Sequence, residues 1–338
     1  MENLVLALGG AGVTQDLSVF SPASPPAASI RRLFYLVLAV TGGIFLLVEV
    51  VLVNILLRSR RRSSPSDAEP PQVYGSGPIE IAWTAAPALI VFVLVLAVAR
   101  TEWEVRVDPG RPPPGSQPLS VRVVGHQWWW EFVYEVYNGR ALRFVTANEL
   151  HVPASAGGVA RPVYLTLESA DVCHSFWVPR LAGKTDLIPG RANSLWFQTE
   201  EPGLYLGQCA EYCGTQHANM LLRVYVDPPG GFERWLTNQE APAAEDAAAG
   251  AGREAFLSRS CVNCHTVRGT PARGTFGPDL THLMSRRTLG SGVVPNTPEE
   301  LRRWLRDPHT LKPGCLMPSF GLEEGELDRI ADYLLTLH

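Results

Sequence analysis

Two long apolar runs near the N-terminus constrain this chain more than any other feature in it. Residues 33–57 interrupt their aliphatic and aromatic side chains only with Glu49, Asn54 and small or neutral polar positions. About 25 residues make a helix of ~37 Å, enough to cross a ~30 Å hydrocarbon layer with some tilt. Residues 79–99 contain Glu80 and Pro87, are otherwise apolar, and are long enough to do the same. A pair of helices buried in a soluble core is the bland alternative, but runs so long and so poor in charge are rare there. The pair reads as a transmembrane hairpin, 31–100, with helices at about 33–57 and 79–99. Arg58, Arg60, Arg61 and Arg62 lie between the two runs, which the positive-inside rule puts in the cytoplasm. Arg31, Arg32 and Arg100 at the opposite ends dilute that signal. Residues 1–30 would then form an extracytoplasmic N-terminal segment. The short apolar stretch 4–11 follows the acidic Glu2 rather than a basic leader, which disfavours a cleaved signal peptide. The Pro, Ser and Ala content of 21–29 reads as a flexible lead-in.

With 338 residues the chain has room for two or three domains. Its 29 basic against 33 acidic residues, a net charge of -4, lack the basic surplus that nucleic-acid binding needs. After Arg100 the texture changes. Pro109, Pro112, Pro113 and Pro114 mark a connector, and short β-branched and aromatic segments follow at 119–124, 163–167, 194–198 and 221–226. Leu119, Val121 and Val123 alternate with Ser120 and Arg122, the period of a half-buried strand. The block 101–237 reads as an all-β sandwich or barrel. Residues 238–252 form a linker whose low-complexity part is APAAEDAAAGAG at 241–252. Beyond it, 253–338 turns helical. Thr297, Pro298 and Glu300 make a capping box, and Leu327, Ile330, Tyr333, Leu334 and Leu337 keep a period near 3.6. A helical domain of this size is marginal without a staple.

The staple is Cys261-Val262-Asn263-Cys264-His265, the C-x-x-C-H attachment pattern of c-type haem. Two thiols three residues apart on one helical turn can reach the two vinyl groups, with the adjacent His below the iron. Alone, the pentapeptide would also suit half of a zinc site or a redox pair. No second C-x-x-C lies nearby to complete a zinc tetrahedron, and no βαβ setting surrounds it. The helical domain resembles class I cytochrome c, a family that takes a Met as sixth ligand. That resemblance selects Met317, in the loop KPGCLMP before the terminal helix, over Met284, which reads as a packing residue.

A second cluster sits in GQCAEYCGTQHANM, which spaces Cys209, Cys213, His217 and Met220 at four, four and three residues; DVCHSFWVP supplies His174 upstream. Two thiolates, two imidazoles and a thioether form a soft set suited to copper rather than magnesium or calcium. A mononuclear blue-copper site needs one Cys; a second sulfur allows two coppers to be bridged. A structural Cys2His2 zinc site is the alternative, and it leaves Met220 and the β-rich surroundings unexplained.

On these motifs residues 30–228 resemble subunit II of haem-copper oxidases, which carries the dinuclear CuA centre in a cupredoxin domain. The whole chain resembles the variant with cytochrome c fused to its C-terminus. The resemblance implies a multidomain fold: a two-helix transmembrane hairpin, an all-β cupredoxin domain and an all-α cytochrome c domain. It makes Cys209 and Cys213 bridging thiolates and His174 and His217 terminal ligands. Met220 becomes a weak ligand to one copper and the Glu211 carbonyl a ligand to the other. The Glu211 side chain is similar to one that reaches a magnesium or manganese ion at the subunit I interface. In GHQWWWEF, Trp128 resembles the residue through which electrons reach CuA, and would lie between haem and copper; Trp129 and Trp130 read equally well as core. PRLAGKTDLIPG is similar to the loop that docks on the catalytic subunit, giving Lys184 and Asp186 a structural part. IEIAWTAAP resembles the family's E-x-x-W-T-x-x-P, with Glu80 at the cytoplasmic mouth of a proton path. Two thiols depart from the pattern, Cys173 and Cys315, and read as buried and free.

The implied function is electron relay in a respiratory, proton-pumping cytochrome c oxidase. Electrons would pass from a donor such as a cytochrome c to haem c, to CuA, and to the oxygen-reducing site of subunit I, with subunit III as a further partner. This chain would hold no oxygen site of its own, since neither apolar run contains a His. The expected location is the inner membrane of a bacterium, multi-pass, with both termini and both redox domains on the periplasmic side. The alternative is a membrane-tethered haem c/CuA carrier serving another terminal reductase, such as one acting on nitric oxide.

Overall fold

The computed structural model describes residues 17–60, 72, 74–106, 112–244 and 246–338. The stretch 4–11, Arg61, Arg62 and Pro109 lie outside the described residues. Among the described residues, those within 28–106 make one compact unit, and 17–27 with those from 112 onward make the other.

The first unit holds α1 (Pro25–Arg60) and α2 (Gly77–Val105), both long and apolar enough to cross a membrane. Each outruns its apolar stretch. The expected flexible lead-in is corrected at Pro25, where a Pro pair opens α1. Proline suits a first helical turn because its missing N–H would be unpaired there anyway. The start of α2 carries Pro78 and is closed by Glu80, whose Oε1 accepts the Ser76 N–H at 3.3 Å. Pro87 sits inside α2, tolerated as in other membrane-type helices. Ser29 Oγ and Arg32 Nη2 from the beginning of α1 meet Glu104 at the end of α2, at 2.8 and 3.0 Å, and Arg100 joins at 2.9 Å. First and last turns in contact define an antiparallel hairpin.

In the second unit, ten strands among the described residues build two five-stranded sheets. They are β1 (Leu119–His126), β2 (Trp129–Tyr137), β3 (Arg140–Ala147), β4 (Glu149–Pro153) and β5 (Val163–Ser169), then β6 (His174–Trp177), β7 (Thr185–Leu187), β8 (Asn193–Phe197), β9 (Gly203–Cys209) and β10 (Leu221–Asp227). One sheet runs β3-β2-β1-β5-β8 and the other β4-β10-β9-β6-β7. β1 pairs parallel with β5, and β10 parallel with β4; the remaining neighbours are antiparallel. The alternation read at Leu119, Val121 and Val123 points those side chains inward. They meet Trp130, Phe132, Tyr134, Leu165 and Phe176 in one core, each such burial contributing about 1.5–3 kcal/mol. α3 (Gly231–Glu240) closes the sandwich with Phe232 and Leu236, and reaches past the expected boundary at 237.

The helical lobe comprises α4 (Gly250–Ser258), α5 (Cys261–Cys264), α6 (Pro298–Arg306) and α7 (Glu324–Leu334). Here the linker expected at 238–252 is corrected at both ends. Its first residues finish α3, and 250–252 form the first turn of α4, because Gly252 lies where α4 crosses α7. A Cβ there would stand 2.0 Å from the Arg329 carbonyl oxygen. Leu327, Ile330, Tyr333 and Leu334 are buried on one face of α7, as their spacing predicts, against Phe256, Leu301 and Leu305. Half of the capping box closes: Thr297 Oγ1 accepts the Glu300 N–H at 3.3 Å, while the Glu300 carboxylate turns to Arg303 at 2.8 Å.

Candidate copper centre and haem cleft

The donor atoms of the first cluster come from two adjacent strands and the loop that follows one of them. β6 and β9 pair with Phe176 opposite Cys209, so His174, two residues before Phe176, lies on the same face as Cys209. The loop from Cys209 to Met220 is pinned at its base, where the Cys209 N–H donates to the Met220 carbonyl at 3.0 Å. Inside it the two sulfurs stand 3.8 Å apart. His174 Nδ1 is 3.9 Å from Cys209 Sγ, and His217 Nδ1 is 3.6 Å from Cys213 Sγ. Met220 Sδ lies 3.9 Å from Cys213 Sγ, and the Glu211 carbonyl oxygen 3.2 Å from Cys209 Sγ. His174, Cys209, Cys213 and Met220 are buried. Gly125 makes room for this arrangement: a Cβ there would stand 2.8 Å from His174 Cδ2.

Electrostatics marks the pair of sulfurs as incomplete on its own. Sharing a hydrogen bond with Cys213 holds the Cys209 thiol down, and the same sharing pushes Cys213 up, so the two sulfurs give up their protons as a pair rather than independently. Two sulfur anions this close need a cation between them, which soft divalent or monovalent copper supplies. Each imidazole turns its Nδ1 toward the sulfurs. The donor chemistry therefore fits a thiolate-bridged copper pair.

Asp171 holds the other side of His174. Its Oδ1 meets His174 Nε2 at 2.8 Å, while Oδ2 accepts the Gln127 N–H at 2.6 Å and Oδ1 the Val172 N–H at 2.6 Å. Burial opposes charge on His174, and the Asp171 and Cys209 contacts outweigh it, raising the imidazole pKa. Sequence reading missed Asp171; its position three residues before His174 was the available signal. On the opposite side, Trp128 Nε1 and Gln127 Nε2 both donate to the Cys213 carbonyl, at 2.9 and 2.7 Å. Trp130 is wholly in the sandwich core, and Trp129 stacks on His126 with ring centroids 4.2 Å apart.

Cys261, Cys264 and His265 line a mostly apolar cleft in the helical lobe. Met317 lines the same cleft, and so does Trp128 of the sandwich. His265 Nδ1 meets the Pro278 carbonyl at 2.7 Å, which fixes it as the protonated nitrogen and leaves Nε2 its lone pair. Burial holds His265 below its ordinary value and hence neutral, as a metal ligand must be. Gly277 permits the ring's position, since a Cβ would stand 2.7 Å from His265 Cε1. The Trp304 indole N–H lies 3.0 Å from Met317 Sδ. Arg286 is buried at the cleft wall with its Nε unpartnered. Met284 instead packs against the core of the lobe, with its N–H on the Leu337 carbonyl. The cleft fits a covalent haem.

Of the remaining expected residues, Glu211 and Glu80 have exposed side chains, and Lys184 and Asp186 lie exposed at and beside the edge strand β7. The expectation that both spare thiols are buried is corrected. Cys173 is exposed, because the residue before an inward-facing His174 points outward, and Cys315 is half-buried in the loop before Met317.

Fold and site together define a membrane-anchored electron-transfer chain, with a cupredoxin lobe built for paired copper and a cytochrome c lobe built for haem. The sequence matches the family description "Cytochrome C oxidase subunit II, transmembrane domain" over residues 13–99 and "Cytochrome C oxidase subunit II, periplasmic domain" over 119–226. Residues 249–338 match "Cytochrome c". The chain is 33% identical to cytochrome c oxidase subunit 2 of Alkalihalophilus pseudofirmus over 99% of its length and 94% of that protein. It is 31% identical to the corresponding subunit of a Bacillus species, over 82% of this chain and 79% of that one. Among solved structures it is similar to the periplasmic domain of subunit II of the Bradyrhizobium japonicum cytochrome oxidase, at 30% identity with a TM-score of 0.32, over 36% of this chain and 92% of that one. The chain belongs to the cytochrome c oxidase subunit II family, in the form that carries its own cytochrome c domain. It is a membrane protein and part of an oxidoreductase complex; the subunit II domain implies CuA copper, and the cytochrome domain implies haem c.

Proposed function

We propose that this chain accepts electrons from an external donor such as a cytochrome c at its cytochrome lobe. It then passes them through its copper lobe to the oxygen-reducing site of subunit I in a proton-pumping respiratory complex. The observation that carries the reading is that Trp128 both donates its indole N–H to the Cys213 carbonyl and lines the haem cleft, so one residue adjoins both candidate sites. When bound, the copper pair and the haem each supply a one-electron site. The protein's part would be to hold them: Cys209, Cys213, His174, His217, Met220 and the Glu211 carbonyl would supply the copper donors. Cys261 and Cys264 would bind the haem covalently, and His265 and Met317 would be the side chains offered to its iron.

The exposed Glu211 carboxylate is free to reach a magnesium or manganese ion shared with subunit I. Glu80, exposed at the start of α2, is placed to receive protons at the cytoplasmic mouth of a path in subunit I, and subunit III is a further partner. The Arg-rich connection between the spans then faces the cytoplasm, with both termini and both lobes in the periplasm. Metal analysis and optical and electron-paramagnetic spectra of the purified full chain test the assignment. Two copper atoms and one covalent haem per chain support it, and one zinc without copper ends it.

A further inference from the structure

The seam between the copper lobe and the cytochrome lobe is polar at its centre, and one side chain dominates it. Lys312, in the loop that leads to Met317, is 3% exposed. Its Nζ stands 2.8 Å from the Trp128 carbonyl, 2.9 Å from that of Asn219 and 2.8 Å from that of Gly290. An ammonium has three N–H groups, and here all three end on main-chain oxygens, with no carboxylate among them. Two of those oxygens belong to the copper lobe and one to the cytochrome lobe.

The two copper-lobe oxygens are not arbitrary. Trp128 is the residue whose indole donates to Cys213, and Asn219 immediately precedes Met220. The contact therefore seizes the backbone on both sides of the metal loop. A neighbouring bond works in the same direction: buried Gln216, from that loop, donates through Nε2 to the Pro313 carbonyl at 2.6 Å. A second group of bonds fastens the far side of the seam. Glu149 accepts from the Arg287 N–H and the Thr288 hydroxyl at 2.9 and 2.6 Å, and Ser291 donates to the Leu221 carbonyl at 2.7 Å. Burial pushes the Lys312 ammonium down to about 7, opposed by the sulfurs of Cys315 and Cys213. Three directed acceptors are what a buried ammonium requires to keep its charge.

We propose that Lys312 is a positioning residue that pins the cytochrome lobe to the copper lobe, so that electrons cross between them from one docked geometry rather than by encounters on a tether. The proposal rests on the electron-relay reading above. A tether alone would keep the lobes at millimolar effective concentration without orienting them. A cation fastened to the backbone beside Trp128 and Met220 sets the distance and angle as well. Lysine suits the site because its compact ammonium places donors in three directions, whereas the arginine fork is planar.

The test uses the full chain, loaded with copper and haem, as parent, Lys312→Met and Lys312→Arg. Pulsed paramagnetic resonance between the two centres should give one narrow distance in the parent and a broadened distribution in both variants. The rate of the single electron lost by ferrous haem and gained by the oxidised copper pair should fall at least ~10-fold in both, with each centre's optical spectrum and potential unchanged. Amide exchange on the chains as purified gives an independent readout: in Lys312→Met, protection at 126–129, 217–221 and 289–292 should drop while the sheet cores keep theirs. Unchanged exchange and an unchanged distance in Lys312→Met overturn the clamp, as does full recovery in Lys312→Arg, which would make Lys312 a bare charge. If Lys312→Met loses a metal spectrum, the exchange readout alone decides. A parent that binds neither copper pair nor haem sinks the relay reading instead, and leaves the exchange result to judge the clamp.

Discussion

Three hydrogen bonds end on the Asp171 carboxylate, and one of them fixes the ring of His174 with its Nδ1 toward the sulfurs. A group that orients a proposed ligand from behind typically sets metal affinity by ~10–100-fold. Asp171→Asn should therefore weaken copper binding by about that factor while leaving the optical spectrum at saturating copper close to the parent's; a copper titration with spectral readout checks it. Met317 argues differently. Its sulfur lies beside the Trp304 indole in the cleft that also receives His265, so Met317→Ala should leave haem attached through both thiols yet lose the low-spin Met/His spectrum. Met284→Leu, at a residue that packs in the same lobe without lining the cleft, should change neither. These residues differ in legibility for a physical reason. Cys209, Cys213, His217, Cys261, Cys264 and His265 sit in short local spacings and could be read directly. Gly125 and Lys312 act on residues distant in sequence, across 184 residues in the case of Lys312, and no local pattern marks them, whereas Asp171 had only its place three residues before His174 to mark it.

At the scale of elements, period was readable where a segment has one wet face and one dry face. The alternation in β1 and the 3.6-residue stripe of α7 both follow from that asymmetry. Low-complexity sequence misled, since Ala and Gly at 250–252 look like a linker and yet open α4, where small size is the requirement. With a Cβ only 2.0 Å from the Arg329 oxygen, Gly252→Ala must move α4 off α7, a change of overpacking type that costs about 1–3 kcal/mol. Denaturant unfolding of the cytochrome lobe, followed by its haem absorbance, should show that loss. Thr297→Ala removes the hydroxyl that receives the Glu300 N–H at the start of α6, and should cost about 1 kcal/mol in the same measurement.

For the whole molecule, the two lobes differ in what holds them up. The copper lobe closes its core with its own side chains: Trp130, Phe132, Phe176 and Leu165 touch one another across the two sheets, and Cys209, Cys213 and Met220 sit at the margin of that core. The cytochrome lobe packs a core of its own, but Phe256, Leu283, Leu301, Leu305 and Ile330 of that core also form the wall of the cleft. Without a group filling that space, their apolar faces are left toward a void or toward water, and a lobe this small has little stability to spare. Cys261→Ser with Cys264→Ser removes both covalent anchors without altering either lobe's remaining sequence. The expected result is selective: limited proteolysis should cut within the cytochrome lobe and release a copper lobe that still shows its two-copper spectrum. Chelating copper from the parent should do the reverse, sparing the haem spectrum and leaving the sandwich folded, since its core does not depend on the metal. Equal protease resistance of the doubly substituted chain would mean that the helical lobe closes on its own, and would contradict the account of its cleft.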